Sequence, residues 1–184
     1  MRRRLQQAAL ELFRERGFDA TTAAEIAQRA GVTERTFFRH FPDKREILFD
    51  GEDAFAAALV DGVANAPQAF GPLQILFRAF ETVEQILEFN RPFSEPRAQI
   101  IADAPALRER ELAKTEALKS ALAAALLERG VKDRLAMLAA QTGMAAFSQA
   151  FYAWLKDPSR KLHEHLIEAF SDLDTLWPFR GAIC

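Results

Sequence analysis

Apolar residues recur every three or four positions through most of the chain, and no stretch sustains a period-two alternation. Helix is therefore predicted throughout and sheet nowhere. Leu5, Ala8, Ala9, Leu12 and Phe13 line one face of residues 2–16, with arginines and glutamates opposite, and Gly17 ends the run with Phe18 closing the exit. Asp43 with Glu46 starts a helix over residues 43–64 with Ile47, Leu48, Phe55, Leu59 and Val63 inward. Its interior glycines, Gly51 and Gly62, each weaken it by about 1 kcal/mol relative to alanine. Residues 73–89 are apolar on nearly every side, which marks a helix buried among others, and Pro92 breaks it. A short helix over residues 94–102, a longer one from Pro105 stopped by Gly130, and two final helices over residues 133–156 and 160–177 complete an all-α fold.

Between the first of these helices and Pro42 lies a tighter pattern. Thr22 with Glu25 three residues on is a capping box, in which a hydroxyl and a carboxylate satisfy each other's orphan amides. Ile26, Ala27 and Ala30 are the inward positions of the helix it starts, and Gly31 follows where a left-handed backbone is needed. Val32 plugs the corner. Thr33 caps a second helix through Phe41, with Phe37 and Phe41 four apart and facing inward together. Its outward face carries Glu34, Arg35, Thr36, Phe38, Arg39 and His40. Two short helices hinged at a glycine, the second with a basic edge, are what a helix-turn-helix needs to enter a major groove. The chain divides accordingly into a three-helix head, residues 1–45, and a six-helix body, residues 46–184.

The totals sharpen this reading. With 184 residues and 49% hydrophobic content the chain buries a real core. Its formal charge is -2, but residues 1–50 hold ten Lys/Arg against eight Asp/Glu, so a basic head sits on an acidic body. The single cysteine, Cys184, excludes a disulfide framework or a cysteine metal cluster. Gln6, Gln7, Glu11 and Arg14 interrupt any signal-peptide core, and the apolar run at residues 121–127 is far short of the ~20 residues a membrane span requires. A soluble cytoplasmic protein without membrane, metal or cofactor is expected. His163-Glu164-His165 lacks the four-residue histidine spacing of a zinc helix, and neither a phosphate loop nor a paired-carboxylate constellation stands out, so no catalytic residue is nominated.

The segment AALELFRERGFDATTAAEIAQRAGVTERTFFRHFPDKREIL resembles the TetR family of bacterial one-component transcriptional regulators, in the Phe13/Gly17/Phe18 exit, the paired threonines, Ile26-Ala27, Ala30-Gly31-Val32, Phe41-Pro42 and Lys44. The stretch from Arg97 to Leu112 is also similar to the subgroup known for an acyl-CoA-like ligand-binding C-terminal domain. The resemblance implies nine helices, a homodimer on a palindromic double-stranded DNA operator, usually repression, and release when a small ligand fills the C-terminal domain. The competing reading is a helical protein-interaction module whose helix-turn-helix does not bind DNA.

Residues for each role follow. Arg35 and Arg39, four apart, project to one side, where an arginine takes guanine O6 and N7 at ~1–3 kcal/mol of discrimination; a solvated surface face is the plainer alternative. Thr36 touches a base or a thymine methyl, and Thr33 belongs with it at the start of the same helix. Thr22 sits where an N-cap hydroxyl and helix amides meet a phosphate. The resemblance adds His40 and Lys44 as backbone contacts, and it puts a tyrosine at Phe38, whose missing hydroxyl removes a phosphate contact. Phe77, Phe80, Phe89 and Phe93 with Leu118 and Leu122 are candidates for a cavity taking a small apolar or acyl-type effector, and ordinary core is the alternative. Arg91 and Arg97 are placed to anchor its carboxylate or phosphate, against surface salt bridges. One head has little grip on DNA, so two copies on a twofold axis are expected. The resemblance pairs the last two helices with their mates, nominating Ala139, Gly143, Ala146, Phe147, Ala150, Leu166, Phe170 and Leu173, unless these pack only within the chain. Coupling between pocket and head is assigned to the helix over residues 43–64.

Overall fold

The computed structural model describes residues 1–176; Cys184 and residue 177, the expected end of the last helix, lie outside them. Eight helices and no strand are found among the described residues: α1 (Arg2–Arg16), α2 (Ala23–Arg29), α3 (Glu34–His40), α4 (Glu52–Asn65), α5 (Pro72–Asp103), α6 (Pro105–Glu128), α7 (Asp133–Lys156) and α8 (Leu162–Leu176). The fold is all-α, as the periodicity requires, but two of the nine expected helices are one.

That merger is at α5, which runs through Pro92 and Pro96 without a break. Each proline removes one backbone donor and costs about 3 kcal/mol in a helix interior. Burial on both sides offsets the loss: Leu76, Phe80 and Val83 lie earlier in α5, Ile100 and Ile101 later, and all five are 6% exposed or less. A second correction concerns α4, which starts at Glu52 and not near Asp43. The Asp43 carboxylate accepts from the amides of Arg45 (2.7 Å) and Glu46 (3.2 Å), and the amides of Leu48 and Phe49 donate three residues back. These are tight turns, and Gly51 at φ 90° closes them before the helix can begin.

The chain forms two compact units, and the division falls inside α4, α5 and α6. The first holds Met1–Asp53 together with Asn90–Lys114. Its core joins Leu5, Leu12 and Phe13 of α1, Ile26 and Ala27 of α2, Phe37 and Phe41 to Ile47, Leu48 and Phe49, and also to Ile100, Ile101 and Leu107. The unit that contains the helix-turn-helix is therefore larger than residues 1–45. Arg97 bolts it together: Nε donates to the Leu48 carbonyl (2.6 Å), and the terminal nitrogens reach Glu52 (2.8 Å) and Glu111 (3.2 Å). Burial pushes the Glu52 carboxyl above its ordinary range, against the opposing pull of Arg97 and Lys114.

The second unit holds Ala54–Phe89 and the chain from Thr115 onward. Its centre is aromatic. Phe80 stacks on Phe147 with ring centroids 4.6 Å apart, and Phe77 meets Phe170 edge-on at 5.2 Å. A Cβ on Gly143 would lie 2.8 Å from Cδ1 of Leu76, so glycine is what lets α7 approach α5 this closely. Arg129 donates to the carbonyls of Val63, Ala64 and Pro67 and so closes the C-terminal end of α4.

Candidate nucleic-acid interface

The head is organised by local caps. The Thr22 hydroxyl accepts from the Glu25 amide (3.2 Å) while the Thr22 amide donates to the Glu25 carboxylate (2.8 Å), the reciprocal pair that the sequence calls for. The Thr22 amide, then its hydroxyl, hold the Glu25 carboxyl below its ordinary range. Thr21, beside it, is buried and donates to the Gly17 carbonyl at 2.8 Å, so the two threonines respectively close α1 and open α2. Sequence reasoning gave Thr21 no role of its own.

At the other end of α2, the amides of Gly31 and Val32 donate to the carbonyls of Gln28 and Ala27. This is a Schellman motif with Gly31 at φ 66° in the left-handed position. The Ala30 carbonyl is taken by Arg4 at 2.6 Å. Thr33 then caps α3 by accepting from the Thr36 amide (3.2 Å), and its hydroxyl lies 3.0 Å from that of Thr36. Phe37 and Phe41 are buried with centroids 5.7 Å apart, which fixes the roll of α3.

With that face inward, Arg35, Phe38 and Arg39 are exposed. Neither guanidinium has an ion pair or hydrogen bond among the described residues, whereas Arg29 is held by Glu11 and Glu15 and Arg16 by Glu25. Each thus presents an uncommitted guanidinium fork, the group that takes guanine O6 and N7 bidentately.

Three of the basic side chains in the head are engaged elsewhere. Lys44 donates to the carbonyls of Phe18 (2.7 Å), Asp19 (3.3 Å) and Thr21 (2.8 Å) and lies over the Phe18 ring, so its three protons are spent inside the head instead of facing a phosphate. Arg2 pairs with Asp50, and Arg4 donates to the Ala30 carbonyl, so both are held within the chain. Nε2 of His40 is shielded from solvent and has no hydrogen-bond partner among the described residues.

Comparison with known proteins follows the same division. A family model described as "Bacterial regulatory proteins, tetR family" matches residues 5–50, and one described as "MftR C-terminal domain" matches residues 70–178. The chain belongs to the TetR family. The HTH-type transcriptional regulator TcmR of Streptomyces glaucescens is 38% identical over 82 residues, 45% of this chain and 36% of that one, so the chain spans about a third of TcmR's length. The putative mycofactocin biosynthesis transcriptional regulator MftR of Mycobacterium tuberculosis is 26% identical over 90% of this chain and 85% of its own. Among solved structures, the transcriptional repressor FadR of Thermus thermophilus in complex with lauroyl-CoA aligns at TM-score 0.60 and 28% identity, covering 100% of this chain and 98% of that one. This TetR-family chain is thus a transcriptional regulator, and no helix among its described residues is long and apolar enough to cross a membrane.

The residues nominated for an effector pocket are divided between the two units. Phe77, Phe80, Phe89, Leu118 and Leu122 belong to the second unit; Arg91, Phe93 and Arg97 belong to the first. Phe80 and Leu122 are fully buried, Phe89 is 68% exposed, and Phe93 packs against the head core. Arg97, far from awaiting an anion, is saturated by Leu48, Glu52 and Glu111. In the second unit an open depression of about 420 Å³ lies among Gly71, Pro72, Leu73 and Gln74 and the α7 residues Leu135, Leu138, Ala139 and Thr142.

Most of the nominated dimer residues are covered within the chain, Leu173 being partly exposed. Ala139, Gly143, Ala146, Phe147, Ala150 and Leu166 are buried within the single chain, and Phe170 is half-buried against Phe77 and Phe80. Periodicity identified an inward face of α7 and α8, and that face is filled by the chain's own helices. The exposed apolar stripe is Leu138, Ala145 and Tyr152, at seven-residue spacing, with Ile167 exposed on α8.

Proposed function

We propose that this chain is a cytoplasmic repressor that reads a palindromic DNA operator as a homodimer and releases it when an effector fills the body. The observation that carries the DNA reading is the pair of uncommitted guanidiniums, Arg35 and Arg39, on an exposed α3 whose roll is fixed by Phe37 and Phe41. In this reading Thr36 and Phe38 complete the base-facing surface and Thr22 and Thr33 contact phosphates, while His40, with Nε2 shielded, has only its other ring nitrogen to offer one.

The second copy docks through α7 and α8. The stripe of Leu138, Ala145 and Tyr152 with Ile167 is the surface that supports this, since large apolar side chains left half-exposed on paired helices gain from a mate. An effector of acyl type is supported by the lauroyl-CoA held by FadR, which aligns along the whole chain. Coupling runs through α4, whose first turn is tied by Glu52 to Arg97 and Lys114, and which then carries the chain out of the head unit. An effector that prefers one disposition of α4 tenfold shifts the balance by about 1.4 kcal/mol.

Titrating the full chain with a non-specific duplex at several salt concentrations tests the DNA reading. Affinity is expected to fall steeply as salt rises, because each neutralised phosphate releases counterions. Affinity insensitive to salt, or none at low salt, leaves a helical interaction module.

A further inference from the structure

Phe38 is an aromatic side chain in an unfavourable place. It is 49% exposed on α3, and it shares the outward face with Arg35 and Arg39, three residues before it and one after. Its ring stands edge-on to Phe37 at 5.3 Å and 83°, and Phe37 is itself fully buried against Phe41. The exposed ring is thus braced by the core, beside Arg35 one turn earlier on the helix.

A phenyl ring offers no donor or acceptor to a phosphate or a polar base edge. Of the groups on the floor of the major groove, the 5-methyl of thymine is the apolar one. The flanking arginines supply the charge that brings this face to a polyanion, and the ring supplies an apolar contact at the step beside those the arginines read. We propose that Phe38 is a specificity residue that selects thymine through its 5-methyl group, an inference that rests on α3 entering the major groove. The competing contact, with deoxyribose, is present at every nucleotide and selects no base.

The test uses the full chain and a duplex recovered by selection from a random pool. Each thymine is replaced in turn by deoxyuridine, which deletes one methyl and nothing else, and affinity is measured for the wild type, Phe38→Ala and Phe38→Leu. One thymine in each half-site is expected to show a loss of roughly fourfold on methyl deletion, the worth of one buried methyl-sized group. Phe38→Leu keeps part of that preference. Phe38→Ala binds the thymine duplex more weakly and binds the two duplexes alike, with its helical circular dichroism and melting cooperativity showing that the head still folds. Wild-type protein indifferent to every thymine-to-deoxyuridine exchange, a consensus without thymine, or an undiminished preference in Phe38→Ala overturns the inference. An enriched palindrome without a methyl effect overturns it alone, whereas failure to enrich any sequence overturns the DNA reading as well.

Discussion

The ammonium of Lys44 lies 2.8 Å from the carbonyl oxygen of Thr21, across 23 residues of sequence. With its bonds to Phe18 and Asp19 it ties the segment after α3 to the exit of α1. The Lys44→Ala variant is therefore expected to lose roughly 1.5–3 kcal/mol of stability, the range for hydrogen bonds to a charged group, by denaturant unfolding. The slope of log affinity against log salt stays unchanged at moderate temperature; a drop of about one in that slope marks a phosphate contact and contradicts the assignment.

Arg35 and Arg39 are expected to behave in the opposite way. Replacing either by alanine leaves the unfolding midpoint within about 0.5 kcal/mol, as for exposed sites. Binding to a selected duplex weakens by about 1–3 kcal/mol each, with relaxed preference at the contacted base pair. Anisotropy titrations on duplexes varied at single positions check both parts.

Gly31 holds φ 66°, and a Cβ there would lie 3.2 Å from the guanidinium of Arg4. Gly31→Ala is expected to destabilise the head by about 1 kcal/mol or more, from backbone strain and from loosening the Arg4 contact to Ala30. Equilibrium unfolding of the variant measures it. An alanine variant as stable as the wild type contradicts the geometry.

His163 on α8 places Nδ1 2.8 Å from the Glu84 carboxylate on α5. The hydrogen bond to Glu84 is the largest cause holding the imidazole above its ordinary value of 6.5. Its folded value is raised, so the stabilisation is fully present below about pH 6.5, the unfolded value, and is lost as pH rises through the folded one. Stability curves across neutral pH, compared with Glu84→Gln, are expected to show this loss in the wild type and a flatter profile in the variant. His163 is substantially exposed, so the effect is modest and shrinks with salt.

What the sequence makes legible is what is decided within a few residues. The Thr22–Glu25 box, the Gly31 turn and the Phe37/Phe41 face each involve partners three to five positions apart, and each stands where the pattern puts it. Lys44 and Arg97 have partners 26 and 49 residues away, so Lys44 is a clamp that no local pattern reveals, and for Arg97 the salt-bridge alternative is the one that holds. Pro92 is misread because the local breaking rule ignores the buried residues that hold α5 on both sides of it. For α7 and α8 the periodicity marks which face is buried without saying what covers it. Leu76 and Phe80 of the same chain do.

The central claim is that α3 reads DNA through Arg35 and Arg39 in a twofold-related pair of heads. Selection of bound duplexes from a random pool, using the purified full chain, tests it most directly. The expected result is an enriched palindrome whose half-sites are spaced by a whole number of helical turns, lost when Arg35 and Arg39 are both replaced by alanine. Recovery of no common sequence, or an enrichment that survives loss of both arginines, contradicts the account.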